Sequence, residues 1–221
     1  MNTVPADLRL AVETVVAEIR RRVRNGALPL VVAVDGRSGS GKSTVAELVA
    51  PRVRATIVPT DDFFAASIPN FDWDVRTPAQ RASAAIDWRR LRTEAIEPLR
   101  AGQPAWWRAF DFGAGVRPDG SYAMQRDLTV RSPCPVVILD GAYSARPELA
   151  DLIDFAVLIQ APAAVRHERL AARETPQFLE LWHARWDEAE AYYFEHVRPP
   201  ATLDLVLTTG SLSAPTLGTP T

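Results

Sequence analysis

The stretch VVAVDGRSGSGKSTVAELV, residues 31–49, holds Lys42, the one lysine in a chain whose 25 basic residues are otherwise arginine. Within it, GRSGSGKS from Gly36 to Ser43 fits the spacing G-x-x-x-x-G-K-[ST]. It sits between a β-branched apolar run and a helical pattern, the context a phosphate-binding loop requires. Gly36, Gly39 and Gly41 let the backbone curl so that successive N–H groups converge on a phosphate, and the helix start adds its positive dipole end. Ser38, Ser40, Lys42, Ser43 and Thr44 complete the expected nucleotide-binding set. Lysine is a compact point charge on a flexible stem, whereas arginine's planar fork is too broad for a loop that closes around phosphates. A chance match in a flexible Gly-Ser turn is the plain alternative.

Three further groups could act on a bound triphosphate. Asp61 and Asp62 in PTDDFF close the next apolar run, expected to be a strand beside the first. A carboxylate there can take a proton from an attacking hydroxyl; the alternative is a helix cap. Asp140 ends VVILD, four apolar residues leading into an acid. That pattern orients Mg²⁺ with Ser43 as a direct hydroxyl ligand, or else marks a strand-end turn. Arg166, Arg169 and Arg173 in VRHERLAARE share one helical stripe. They form either a basic lid over the phosphates or a solvated face. His167, His183 and His196 lack a metal-binding spacing, and Trp182 and Trp186 at i, i+4 read as core.

The elements that must position these groups follow from the apolar runs. A helix is expected over 7–24, with Leu8, Val12, Val15, Val16, Ile19 and Val23 on one stripe and NGALP (25–29) as its stop. Strands are expected at LVVAVD, ATIVPTD (55–61), VVILD (136–140), FAVLIQ (155–160) and LDLVLT (203–208). Helical patterns separate most of them, at 42–50, 79–101, 162–174 and 176–197. Such alternation predicts βαβ units around a parallel sheet. Residues 102–131 are rich in Gly, Pro and aromatics, with RPDGSY as a turn, and form an expected excursion off the sheet. The small polar tail 210–221 is expected to be disordered. With 221 residues, 47% of them hydrophobic, one domain over 1–209 can bury a full core. A formal charge of -2 gives no footprint for nucleic acid or an anionic membrane. Cys134 is the one cysteine, which excludes an internal disulfide and a thiolate zinc cluster. The charged residues 7–24 do not form a signal-peptide core, so a cytoplasmic location is expected.

GRSGSGKST, TDDFF, NFDWD, FDF, VVILDG and the arginine-bearing helix, in that order, resemble the uridine kinase group of P-loop kinases, which includes nicotinamide riboside and pantothenate kinases. The resemblance spans about residues 30–208 and implies an α/β, P-loop NTPase-type doubly wound sheet of about five parallel strands, with a lid near 162–176 and a hairpin flap near 102–131. It implies ATP and Mg²⁺ as cofactors, Asp61 as general base, and Lys42, Arg169 and Arg173 on the transferring phosphate. For the acceptor it implies Phe64, Asp72 with Asp74 as its neighbour, Phe110, Phe112 and Arg166, with Trp106 or Trp107 as an added wall. The sequence departs from a uridine kinase where GAGVRPDG offers Arg117 in place of a histidine reader. The reading is therefore a small-molecule kinase for a nucleoside-like hydroxyl, most simply uridine or cytidine. Nicotinamide riboside, pantothenate and sugar or antibiotic acceptors are alternatives, as is a non-catalytic nucleotide-binding regulator. A guanine switch is excluded, because its N-K-x-D reader needs a second lysine. No nucleic-acid or membrane partner is expected, and a homo-oligomer is allowed.

Overall fold

The computed structural model describes residues 5–25, 29–175, 180 and 183–210. The first helix forms as α1 (Ala6–Asn25), and Val12, Val15, Val16 and Ile19 are buried as their spacing predicts. Then come β1 (Leu30–Asp35), α2 (Lys42–Val53), β2 (Ala55–Pro59), α3 (Pro78–Ala84) and α4 (88–100). After these follow β3 (Ala105–Trp107), β4 (Thr129–Arg131), β5 (Val136–Asp140), β6 (Phe155–Gln160), α5 (Ala163–Arg173), α6 (183–197) and β7 (Leu205–Thr208). Trp182, the chain stop over 26–28 and the tail from 211 lie outside the described residues.

Five parallel strands form one sheet in the order β2-β5-β1-β6-β7. The expectation that the strand before Asp61 lies beside β1 is corrected, because β5 separates them. Burial explains the order. β1, β5 and β6 are buried along nearly their whole length and take the interior. In β2 and β7 burial alternates or is partial, and they take the edges. Successive residues of the inner strands face opposite layers. Val32, Val34, Ile138 and Val157 pack on α1 and α2, while Val31, Val137 and Leu139 pack on the layer built by α4, α6 and the flap.

The single helix expected over 79–101 is broken at residues 85–87. There Ile86 bridges to Phe64, and the Asp87 carboxylate accepts the Arg90 N–H at 3.2 Å to start α4. The excursion is present as the antiparallel pair β3–β4, with Trp106 opposite Val130. Its turn closes where the Gly120 N–H donates to the Arg117 carbonyl at 2.9 Å. Among the described residues no helix is long and apolar enough to cross a membrane.

Candidate active site

The loop after β1 lies where the sheet order reverses, between β5 on one side and β6 on the other. This is the position at which open α/β sheets bind ligands. Gly41, at φ 92°, makes the left-handed step into α2 that a side chain would strain. The N–H groups of Lys42, Ser43 and Thr44 have no intrahelical acceptor at this helix start. With the dipole they form an anion cradle. Ser43 and Thr44 are exposed there and Lys42 is half-buried.

The rear of the loop is tied down by side chains from α5 and α6. Arg37 donates to the carboxylate and the carbonyl of Asp187 at 2.8 and 2.9 Å. The Ser38 N–H and hydroxyl both donate to buried Glu190, at 2.9 and 2.5 Å. Ser38, expected among the nucleotide-binding residues, gives its N–H and its hydroxyl to Glu190 instead. Arg166, expected on the acceptor, is buried and donates to the Ser38 carbonyl at 3.1 Å, with Asp187 at 3.6 Å. Arg169, expected on the transferring phosphate, donates to the Gly39 and Ser40 carbonyls, each at 3.1 Å. Both arginines hold the loop because a buried guanidinium must satisfy its N–H groups and the loop's outward carbonyls accept them. Ser40 is fully buried, and its carbonyl also accepts the Thr209 hydroxyl at 2.6 Å. Gly36 passes directly beneath Ile159. Arg173 alone of the three arginines has an exposed side chain; it pairs with Glu174 at 2.7 Å and its charge reaches Asp61.

Three carboxylates feel the Lys42 ammonium: Asp35, Asp61 and Asp140. Asp35 lies under the loop and accepts the N–H groups of Gly36, Tyr143 and Ala145 and the Tyr193 hydroxyl at 2.8–3.0 Å. Burial pushes its carboxyl up to about 6, and the donors and Lys42 oppose that rise. Tyr143, at φ 68°, is held in this unusual conformation by its bond to Asp35. Asp140 is also raised to about 6 by burial, against the pull of Lys42 and of the Ser43 hydroxyl, which donates to it at 3.2 Å.

Asp61 sits on the short turn Thr60–Phe63 that follows β2. Thr60 ties that turn to β5 by donating to the Asp140 carbonyl at 3.2 Å. Gly141 permits the approach, since a Cβ there would run into the Thr60 hydroxyl. Asp61 is exposed at this turn, while the protein around its carboxyl displaces part of its hydration. Burial raises its pKa, with Lys42 and Arg173 pulling the other way. Its neighbour Asp62 points elsewhere and accepts the Trp107 indole N–H at 2.8 Å, which fastens the flap. No helix cap is involved.

Phe64, from the same turn, walls a cavity of about 230 Å³ together with Phe110, Phe112, Tyr122 and Trp186. Phe110 is buried against Phe64, with ring centroids 4.9 Å apart, whereas Phe112 is half exposed. Trp107 is core and Trp106 faces solvent, so neither lines this cavity. Asp72 does not line it either. Asp74 reaches it indirectly, holding Arg185 by two bonds at 2.8 and 3.1 Å. Asn70 and Arg185 supply the polar side. Helix α6 delivers Arg185, Trp186, Asp187, Glu190 and Tyr193 to these sites, and its wide-turned stretches His183–Asp187 and Tyr193–Val197 shift the helix phase along its length.

Among the described residues no group of three or more His, Cys, Asp or Glu could hold a metal alone. Ser43 and Asp140 offer two adjacent oxygens. That partial set suits Mg²⁺, which completes its shell with phosphate oxygens and water. The residues fit the ion as part of a nucleotide complex.

Comparison with protein-family models gives no match. Comparison with curated proteins gives none either. Solved structures do match. One described as a possible uridine kinase from Bacillus stearothermophilus aligns at TM-score 0.67 and 19% identity, over 90% of this chain and 98% of its own. A proposed fructose transport system kinase from Silicibacter sp. TM1040 aligns at 0.64 and 21%, over 89% and 98%. D-glycerate 3-kinase from Cryptococcus neoformans aligns at 0.58 and 16%, over 84% and 88%. The chain has the doubly wound fold of the P-loop kinases.

Proposed function

We propose that this chain is an ATP-dependent kinase that phosphorylates a hydroxyl of a small, ring-bearing acceptor of nucleoside type. One observation carries the reading: Asp61 and Phe64 share a single tight turn, so the acid that faces Lys42 adjoins the aromatic cavity. An acceptor ring in the cavity brings its hydroxyl toward the carboxylate. The structures matched are described by nucleoside, sugar and hydroxy-acid acceptors, and the aromatic walls favour a planar ring over the last two.

The chain's own groups divide the work. Lys42 and the first N–H groups of α2 would hold the phosphates of ATP, and Ser43 with Asp140 the Mg²⁺ ion. Bound together, ATP and Mg²⁺ supply the phosphoryl group and neutralise its oxygens. Asp61, kept from full acidity by burial yet held ionisable by Lys42, takes the acceptor's proton as its oxygen attacks. Arg173, at the end of α5 with its side chain exposed, can swing over the outer phosphate oxygens. Such a reaction fits a cytoplasmic location.

The test is ADP release from ATP in the presence of single candidate acceptors: uridine, cytidine, nicotinamide riboside, pantothenate, simple sugars and an aminoglycoside. A nucleoside is expected to stimulate release strongly and to appear phosphorylated. Tight binding of a non-hydrolysable ATP analogue with no stimulation by any acceptor would replace this reading by a nucleotide-binding regulator.

A further inference from the structure

In the cavity walled by Phe64, the side-chain amide of Asn70 has its orientation fixed by its neighbours. The Asn70 side-chain oxygen accepts two donors, the Tyr122 hydroxyl at 2.9 Å and Arg185 at 2.8 Å. Arg185 can only donate, so the oxygen must face it and the amide cannot be turned over. Arg185 is itself anchored by Asp74, and the Asn70 backbone N–H is held by the Gly120 carbonyl at 2.8 Å. The amide NH₂ is left over: it makes no hydrogen bond to a described residue, at the edge of a cavity whose other walls are mainly aromatic. Of the other polar groups there, Arg185 is held by Asp74, and the Asp111 carboxylate accepts the N–H groups of Gly113 and Ala114 through one oxygen, Oδ1, both at 3.1 Å.

We propose that Asn70 is a specificity-determining residue, donating from its fixed amide to a carbonyl oxygen on the edge of the acceptor's planar ring. The inference rests on the kinase reading for its substrate and adds the acceptor's chemistry. The cavity of about 230 Å³ lies below the roughly 300 Å³ from which pockets for drug-sized ligands begin, so it takes one ring with its substituents. A donor at the cavity's polar edge favours an oxygen-bearing edge of the ring and rejects an amine at the same place, because two opposed donors would both lose their partners. Uridine carries such an oxygen where cytidine carries an amine.

The experiment compares uridine with cytidine in the wild type, Asn70→Asp and Asn70→Ala. Two readouts are used: kcat/KM for ADP release, and equilibrium nucleoside binding followed by tryptophan fluorescence. The wild type is expected to prefer uridine by about tenfold, the effect of leaving one buried polar group unpaired. Asn70→Asp keeps an acceptor for Arg185 and Tyr122 but turns the remaining donor into an acceptor, so the preference should invert. Asn70→Ala should bring the two nucleosides close to parity. An unchanged ratio in both variants, or a wild type that binds neither nucleoside, would overturn the proposal. If Asn70-dependent binding is found without turnover, the inference stands and the kinase reading falls.

Discussion

The two halves of the cleft are held by different forces. The donor half is a backbone loop fastened from behind by charged hydrogen bonds, with Arg37, Arg166, Arg169, Asp187 and Glu190 all directed to it. The acceptor half is held mainly by packed rings, Phe64 against Phe110 and Trp186 and Trp73 against Trp186, with the Trp107 bond to Asp62 at the flap and the Asn70, Tyr122, Arg185 and Asp74 bonds at its polar edge. Directional bonds to charged groups hold a loop in one geometry, which suits a phosphate cradle. Ring packing tolerates exchange of size and shape. On the kinase reading proposed above, the loop side is built for constancy, and the cavity side is where substrate choice can change.

The largest effect is expected at Asp61. Asp61→Asn is expected to lower kcat by about two to four orders of magnitude, the range of a general base, while an ATP analogue binds almost as before. Near-normal turnover in that variant would remove proton abstraction from this turn. A smaller effect should follow Glu190→Ala, which leaves the Ser38 N–H and hydroxyl without their buried acceptor. A loss of about 1–3 kcal/mol is expected, seen as a lower Tm and a raised KM for ATP with the acceptor's KM unmoved. Equal rises in both constants would show that α6 carries the disturbance across the cleft. The smallest effect is expected from Asp62→Asn, since an amide oxygen can still accept the Trp107 indole. Stability should change by less than about 1 kcal/mol, and only the acceptor's KM should respond. A dead Asp62→Asn enzyme with an active Asp61→Asn would exchange their roles.

The same division decides how much could be read from the sequence. The loop from Gly36 to Thr44 is contiguous, and its chemistry is local, so motif and flanking pattern suffice to locate it. The inner strands were legible as unbroken apolar runs; their lateral order was not, because pairing across a sheet leaves no mark on one strand. Arg166 and Arg169 show the limit of a helical stripe: spacing places them on one face of α5 but does not say that loop carbonyls lie in front of it. The acceptor cavity draws on 64–70, 110–122 and 185–186, three segments with no local signature in common. Glu190 sits in an acidic run that reads as a solvated face. Its i+4 spacing from Trp186, a residue already read as core, is the signal that could have found it.

A chain with one lysine offers that residue as a unique address. Amine-directed acylation at high pH has a single side-chain target, Lys42, and the chain's α-amino group, with its pKa near 7.7–8.0, can be consumed first under milder conditions. The extent of labelling then counts Lys42 side chains directly, one per chain, and on the proposed reading ATP should slow it in proportion to occupancy. A lysine-specific protease likewise has one bond to cut, between Lys42 and Ser43 at the first turn of α2. That bond must leave the helix before a protease can take it. Its cleavage rate therefore clocks how often the phosphate loop opens, in unmodified protein and without any engineered probe.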